Sequence, residues 1–242
     1  MALDLNDFTA NNNDLTDHNT VAEYTASLPF TTNGNVRGAG FTAASSQYFT
    51  AADSASLSIT GDMTLQLWVN IATAVGGSGG YGFLSKYSTG SGQTSFRFYI
   101  YYTSGTPSLY FDASTNGTEA ALVSRSVLWT PTVDTWYHVA VTLDVNSPGT
   151  AKFYVNGSQQ GADQTGYDTT IFDGNLPLDI GRYDGASYLD GRLDDIRIYN
   201  STRTEAAIAA DYQQDLLDVT GLAAYWPFES PSAAVSGFYS IF

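Results

Sequence analysis

An all-β protein, built as two antiparallel sheets packed face to face with one short helix near the C-terminus, is what three features of this 242-residue sequence predict. Apolar and polar residues alternate with period two in several stretches of strand length. Glycine, serine and threonine are abundant, with 23 glycines. Six Asn-Gly or Asp-Gly pairs, at Asn33, Asn116, Asn156, Asp173, Asp184 and Asp190, set candidate turns along the chain.

Taken in order, Gln47 to Asp53 reads as a short strand. Met63 to Ile71 is a half-buried one, with Met63, Leu65, Leu67, Val69 and Ile71 on one face and Thr64, Gln66, Trp68 and Asn70 on the other. Ser95 to Tyr101 alternates Phe96, Phe98 and Ile100 with Arg97, Tyr99 and Tyr101, and Trp136 to Asp144 places Tyr137, Val139, Val141 and Leu143 on its apolar side. Phe153 to Gly157 is a strand closed by an Asn-Gly turn, Leu178 to Gly181 a short strand stopped by glycine, and Gly191 to Asn200 a last strand carrying the adjacent acids Asp194 and Asp195. A helix is expected from about Thr204 to Leu217, with Thr202 and Glu205 as a capping box. Many short strands separated by turns point to a sandwich of two sheets in one domain.

In their order and spacing these segments resemble the laminin-G-like family of the concanavalin A-like jelly rolls, from about Asp7 to about Tyr212. The resemblance implies a two-sheet antiparallel jelly-roll domain over residues 1–220, with residues 221–242 as a C-terminal strand and apolar tail. It also implies a structural calcium ion, held by Asp7, Asn11 and Asn13 of the loop Asp7 to Asn13 and by Asp194 or Asp195 of the last strand. Calcium takes roughly 6 to 8 hard oxygen ligands, which carboxylates, amide oxygens and carbonyls supply. The family loop's two glycines are replaced here by Ala10 and Asn12. Without a metal the same residues would form an asparagine-rich turn bonding its own backbone.

The first strand of such domains usually reads like Gly-Leu-Val-Ala-Tyr-Trp-Pro-Phe, yet its likeness stands at the far end, as Gly221 to Glu229. Three destinations are open to it: the vacant edge of its own sheet, a neighbouring subunit, or the stump of a second domain. The tail Val235 to Phe242, with four large apolar residues, is expected to pack against its own domain or a partner.

Composition narrows the function. A net charge of -15 with only two lysines, Lys86 and Lys152, opposes binding to nucleic-acid phosphates or anionic lipid. No apolar run reaches the roughly 18 to 20 residues of a membrane span. The segment Met1 to Asn6 lacks the pattern of a cleavable signal peptide, so the expectation is either that a signal has already been removed or that the protein leaves the cell another way, for example as part of a phage particle. With no cysteine a Cys-His dyad is excluded, and with two histidines, His18 and His138, far apart in sequence, zinc hydrolase chemistry is not expected. The four glutamates, Glu23, Glu119, Glu205 and Glu229, are far apart in sequence, and adjacent Asp194 and Asp195 on a regular strand would point to opposite faces. No acid pair for glycoside hydrolysis follows, and the chain reads as non-enzymatic.

Aromatic faces beside planar polar groups recognise sugars, and loops commonly carry them. Tyr87, Trp129, Tyr183, Asp184 and Tyr188 are the candidate ligand-binding residues, with Tyr81 and Tyr167 near other turns and Arg97, Tyr99 and Tyr101 as a second patch. The expectation is a non-catalytic carbohydrate-binding or adhesion module at an extracellular or virion surface, its partner a cell-surface glycan. The alternatives are a purely structural subunit, assembled with its own copies or a particle, and a weak hydrolase. Sequons at Asn116, Asn156 and Asn200 need no further cause where they coincide with Asn-Gly turns.

Overall fold

The computed structural model describes residues 3–30, 34–146, 148–214 and 217–229. Strands β1 (Leu15–His18), β2 (Ala22–Tyr24), β3 (Gly38–Phe41), β4 (Tyr48–Ala51), β5 (Met63–Ile71), β6 (Gly79–Lys86), β7 (Phe96–Thr103) and β8 (Thr106–Ser114) come first. They are followed by β9 (Leu122–Leu128), β10 (Trp136–Asp144), β11 (Gly149–Val155), β12 (Ser158–Gln159), β13 (Gln164–Tyr167), β14 (Leu178–Ile180), β15 (Gly191–Tyr199), helix α1 (Glu205–Tyr212) and β16 (Leu222–Trp226).

Sheet I has the order β1-β4-β14-β6-β7-β8-β9, and sheet II the order β12-β11-β10-β5-β15-β3-β2 with β13 added on β11 and β16 on β15. All the pairings are antiparallel. Between the sheets lies one apolar core, to which β5 gives Met63, Leu65, Leu67, Val69 and Ile71, β7 gives Phe96, Phe98 and Ile100, and β10 gives Val139, Val141 and Leu143. The period-two alternation therefore assigns these faces correctly, because burying one face of each sheet is what removes apolar surface from water.

Turn chemistry sets the register. Asn156 and Gly157 both have positive φ, 50° and 78°, and close β11 onto β12. The hairpin between β7 and β8 is closed by Ser104 and Gly105, at φ 50° and 81°, which meets the same requirement without an Asn-Gly pair.

Three expectations are corrected. Strand β5 is buried on both faces, not one, because α1 lies over its outer side: Gln66 donates to Asp211 at 3.0 Å and Trp68 stacks on Tyr212 at 5.5 Å. Helix α1 is shorter than expected, and its cap is Thr204, whose hydroxyl accepts from the Ala207 N–H, in place of the Thr202 capping box. Finally, β15 carries a bulge between Asp194 and Arg197, with Asp195 at φ +49°. The extra residue keeps Leu193 and Ile196 in the core and leaves both Asp194 and Asp195 on the α1 side, so the two acids do not alternate.

Strand β16 pairs with β15 of its own chain, Ile196 opposite Trp226 and Ile198 opposite Ala224. Its free side is covered by the N-terminal segment, through Phe8 N–H to Tyr225 O at 2.9 Å and Asp4 N–H to Phe228 O at 3.2 Å. Trp226 and Phe228 are fully buried, and the Glu229 carboxylate accepts from the Val36 and Arg37 N–H groups, each at 2.7 Å. The tail Val235 to Phe242 lies outside the described residues.

Candidate functional site

The outer faces of the two sheets carry similar residues; α1 lies over the middle of sheet II and leaves beside it a cleft of about 500 Å³ lined by residues that include Thr142, Lys152, Tyr154 and Arg203, whereas among the described residues no helix lies over sheet I. On β7 and β8 the outward residues oppose one another as Arg97 and Asp112, Tyr99 and Tyr110, Tyr101 and Ser108. The loop from Gly181 to Asp190 folds back over this face. Gly181 has φ +83°, and a Cβ there would meet the Phe41 ring at 2.8 Å; at Gly82 a Cβ would sit 2.2 Å from the Arg182 carbonyl carbon. These two glycines let the loop backbone lie on the sheet, with the Gly82 N–H donating to Ser187 O at 3.0 Å.

The loop thereby delivers Tyr183 onto Tyr99, with ring centroids 5.0 Å apart. Between them sits Arg97, its guanidinium carbon 4.2 Å from the Tyr87 ring centroid, 4.7 Å from Tyr99 and 5.1 Å from Tyr183. The Arg97 Nε–H donates to Asp112 Oδ2 at 2.5 Å, and the Tyr99 hydroxyl donates to the same oxygen at 3.1 Å. Burial works against the Arg97 charge, but the Asp112 carboxylate and the tyrosines outweigh it and raise its pKa. Burial also raises the phenol of Tyr99, with Asp112 adding to it, so the tyrosines stay neutral hydrogen-bonding groups. The Nη groups of Arg97 find no acceptor among the described residues and remain as donors toward a cleft of about 290 Å³ lined by Arg97, Tyr99, Tyr101, Thr103, Tyr110 and Tyr183.

A second assembly of the same kind stands farther across the sheet. Arg182 lies 3.4 Å over the Tyr48 ring and donates Nε–H and Nη2–H to Asp179 at 2.9 and 3.2 Å, while His18 stacks on Tyr48 at 4.2 Å. Asp179 is raised by burial, against the lowering effect of Arg182. Between the assemblies, Asp184 accepts from the Thr89 N–H and hydroxyl at 2.7 and 2.5 Å, and Tyr87 donates to Glu119 at 3.2 Å.

Of the five expected ligand-binding residues, Tyr87, Tyr183, Asp184 and Tyr188 come together here; Tyr188 is half-buried with its ring 6.0 Å from that of Tyr48. Trp129 does not. It is 5% exposed, belongs to the core and packs edge-on against Tyr137 at 5.5 Å. Tyr81 and Tyr167 are likewise buried, with their hydroxyls on Thr73 O and Phe111 O. Sequence reading missed Tyr110 and Asp112, although β8 alternates Ser108, Tyr110 and Asp112 with Leu109, Phe111 and Ala113 clearly enough to mark an outward face.

The residues expected to bind calcium do not fit the ion. Both Asp7 oxygens are occupied by donors: Oδ1 by the Thr9 and Tyr225 N–H groups, Oδ2 by the Thr9 hydroxyl and by the backbone and side-chain N–H groups of Asn13. Asn11 and Asn13 turn their amide N–H groups to Ala223 O, and Asn13 Oδ1 accepts from Ser54 and Ser56. Asp194 and Asp195 have separate partners, Asn35 for the first and a two-pronged Arg197 for the second. This set clamps the N-terminal loop to β16 and fixes the bulge of β15. Among the described residues no three acidic, histidine or cysteine groups come together to hold a metal.

His138, expected on the polar side of its strand, is buried between Trp68 and Tyr212; burial, then the Arg197 cation, lowers its pKa to about 3. Asp194 is moved the other way, well above the ordinary carboxylate range, by burial and then by Asp195. His138 and Asp195 lie beside α1 and its C-terminal turn, and Asp194 lies beside Asn35 on the same outer side of sheet II, away from the face of sheet I.

Residues 43–209 match the model of the family described as the concanavalin A-like lectin/glucanases superfamily. The chain belongs to that superfamily. A comparison with curated protein sequences gives no match. Among solved structures, domain 4 of AbnA, a GH43 extracellular arabinanase from Geobacillus stearothermophilus, in complex with arabinotriose, is similar at TM-score 0.61 and 17% identity, over 86% of this chain and 92% of that one. The binding domain of Paraclostridial Mosquitocidal Protein 1 is similar at TM-score 0.64 and 14% identity over 88% of this chain, and botulinum neurotoxin type C, whose cell entry depends on two ganglioside molecules, at TM-score 0.59 and 14% over 85%. This chain spans about half of the two toxin chains, 52% and 47%. At these identities the likeness is one of fold. Among the described residues no helix is long and apolar enough to cross a membrane.

Proposed function

We propose that this superfamily member is a non-catalytic glycan-binding module that meets its ligand outside the cell, with the outer face of sheet I as its recognition surface. The observation that carries this reading is the Arg97 assembly. A guanidinium pinned by Asp112 and covered by Tyr87, Tyr99 and Tyr183 is pre-oriented, so its Nη donors are presented to a ligand with little ordering left to do. Beside it, Tyr101 and Tyr110 are half-buried on the rim of the cleft and supply ring faces and hydroxyls, the combination that suits the C–H patches and hydroxyls of a sugar. The arabinotriose complex of the arabinanase domain and the ganglioside dependence of the neurotoxin support the ligand class.

The acids of this face already have protein donors: Asp112 has Arg97 and Tyr99, Asp179 has Arg182, Asp184 has Thr89, and Glu119 has Tyr87. Glycoside hydrolysis needs one carboxyl free to protonate the leaving oxygen and another free to attack or to activate water. The arrangement favours holding a sugar over cutting it. An array of immobilised plant, bacterial and animal glycans tests the reading: binding is expected, with no release of reducing sugar on prolonged incubation. Failure to retain the chain on any glycan at millimolar ligand would overturn the binding function, and steady release of reducing ends would overturn its non-catalytic character.

A further inference from the structure

Three clefts lie on the outer face of sheet I and at the loops that follow β6 and β8. The first, of about 290 Å³, is lined by Arg97 and Tyr183. The second, of about 240 Å³, is lined by Tyr87, Ser88, Arg182 and Asp184; the third, of about 210 Å³, by Ser88, Glu119 and the glycines at 90 and 92. Ser88 is common to the second and third. Tyr87 and Arg97 join the first to the second, since the guanidinium lies on the Tyr87 ring at 4.2 Å, and so do the consecutive residues Tyr183 and Asp184.

We propose, resting on the glycan-binding reading above, that this face takes an internal stretch of an extended, uncharged polysaccharide and not a single terminal sugar. Size is the first argument. A pocket that engulfs a small molecule measures roughly 300 to 1,000 Å³. None of the three clefts exceeds that lower bound, whereas a linear chain can occupy adjoining shallow clefts in succession, one or two rings at a time. Charge is the second. Arg97 and Arg182 are each matched by a carboxylate, Asp112 and Asp179, while among the described residues Asp184 and Glu119 are bonded to neutral groups, Thr89 and Tyr87. The face is therefore net negative on a chain of net charge -15, and a polyuronate or sulfated polymer would be repelled from it. Chemistry is the third. The groups free to meet a ligand are the Arg97 Nη donors and the tyrosines on the rim, Tyr101 and Tyr110, which bond hydroxyls and cover rings without demanding a charge.

The test is calorimetric titration of the intact chain with linear arabinan, xylan, mannan and β-glucan oligosaccharides, from monosaccharide to hexasaccharide, beside polygalacturonate and heparin. For at least one neutral series, affinity is expected to rise about tenfold per early sugar unit and then level off, the monosaccharide being undetectable and the anionic polymers unbound. Two variants locate the ends of the track. Tyr101→Ala should weaken every member of the series by about tenfold or more. Ser88→Trp, which fills the junction of the second and third clefts, should reduce the long members to the affinity of the short ones and leave the short ones unchanged. Melting temperatures of both, compared with the parent, separate loss of the face from loss of the fold. A monosaccharide bound as tightly as the hexasaccharide, a preference for the anionic polymers, or an unaltered length dependence in Ser88→Trp would each overturn the extended neutral ligand and leave glycan binding standing. Absence of binding to every glycan in the panel would overturn glycan binding itself.

Discussion

The two sheets present nearly the same chemistry outward and differ in what lies on top of it. On sheet II, Arg197 reaches Asp195 at 2.8 Å and Asp211 of α1 at 3.1 Å, Arg203 adds bonds to Asp211, and Trp68 and Tyr212 stack beside them. On sheet I, Arg97 reaches Asp112 and stacks with three tyrosines. The Arg197 side chain is 2% exposed and the Arg97 side chain 18%, because α1 lies over the first, whereas the second is flanked by tyrosine rings and borders an open cleft. Burial turns an arginine and carboxylate assembly into a tie between elements. Exposure leaves its unused donors for a ligand.

Breaking the covered assembly gives the largest expected effect. Arg197→Met removes the cation shared by Asp195 and Asp211 and leaves carboxylates buried without their full set of partners, a situation that costs about 3 to 5 kcal/mol. Chemical denaturation should show that loss at neutral pH. Replacing Asp195 together with Arg197 by apolar residues of similar volume, with Asp211 kept as the partner of Arg203, should recover part of it, since one orphaned charge is then removed. A single substitution that leaves the denaturation midpoint unmoved would remove the distinction between the two faces.

The next effect is the acid sensitivity of the same region. His138 is packed by Trp68 of β5 and Tyr212 of α1, with Arg197 and Asp195 of β15 as its charged neighbours. Its pKa, about 3 in the folded chain against 6.5 unfolded, means that between these values the unfolded state binds a proton and the folded state does not. Its contribution to stability is complete above about pH 6.5 and declines as pH falls toward 3, by at most ~1.4 kcal/mol per unit. Asp194 acts in the opposite sense. Burial, then the neighbouring Asp195, raises its pKa, so its contribution declines as pH rises through the folded pKa. Unfolding midpoints between pH 3 and 7 should therefore fall more steeply toward acid in the parent than in His138→Gln. Identical slopes would show that His138 does not carry this dependence.

What could be read from the sequence follows the range of the interaction involved. Alternation within β5, β7 and β10 is local, and it gave the core faces of those strands. The bulge at Asp195 could not be read, because an aspartate in the left-handed region looks like any other aspartate, and the expectation that Asp194 and Asp195 diverge assumed a regular strand. The second buried face of β5 was also invisible, since its cover, α1, begins more than 130 residues later in the chain. At the open face, Tyr87, Tyr183, Asp184 and Tyr188 were picked out by their place near turns, and the same rule misplaced Trp129, whose ring belongs to the core. Partners supplied by cross-strand register, Asp112 and Tyr110, needed a pairing of β7 with β8 that composition does not encode.

The smallest expected effect concerns the N-terminal loop, where resemblance implies calcium and the bonding does not. A ligand that binds only the folded chain stabilises it by RT ln(1 + [L]/Kd), about 2.7 kcal/mol at a hundredfold excess over Kd. Calcium entering at Asp7 would first have to displace donors that already saturate the carboxylate, among them the Tyr225 N–H that ties the loop to β16. Adding calcium or a chelator should therefore leave the melting temperature where it is. Asp7→Asn, which weakens those charge-assisted bonds, should lower it by an amount that is the same with or without the ion. Should calcium raise the melting temperature of the parent and not of Asp7→Asn, the loop would be an ion site after all, and the N-terminal segment would owe its place beside β16 to a metal instead of to its own hydrogen bonds.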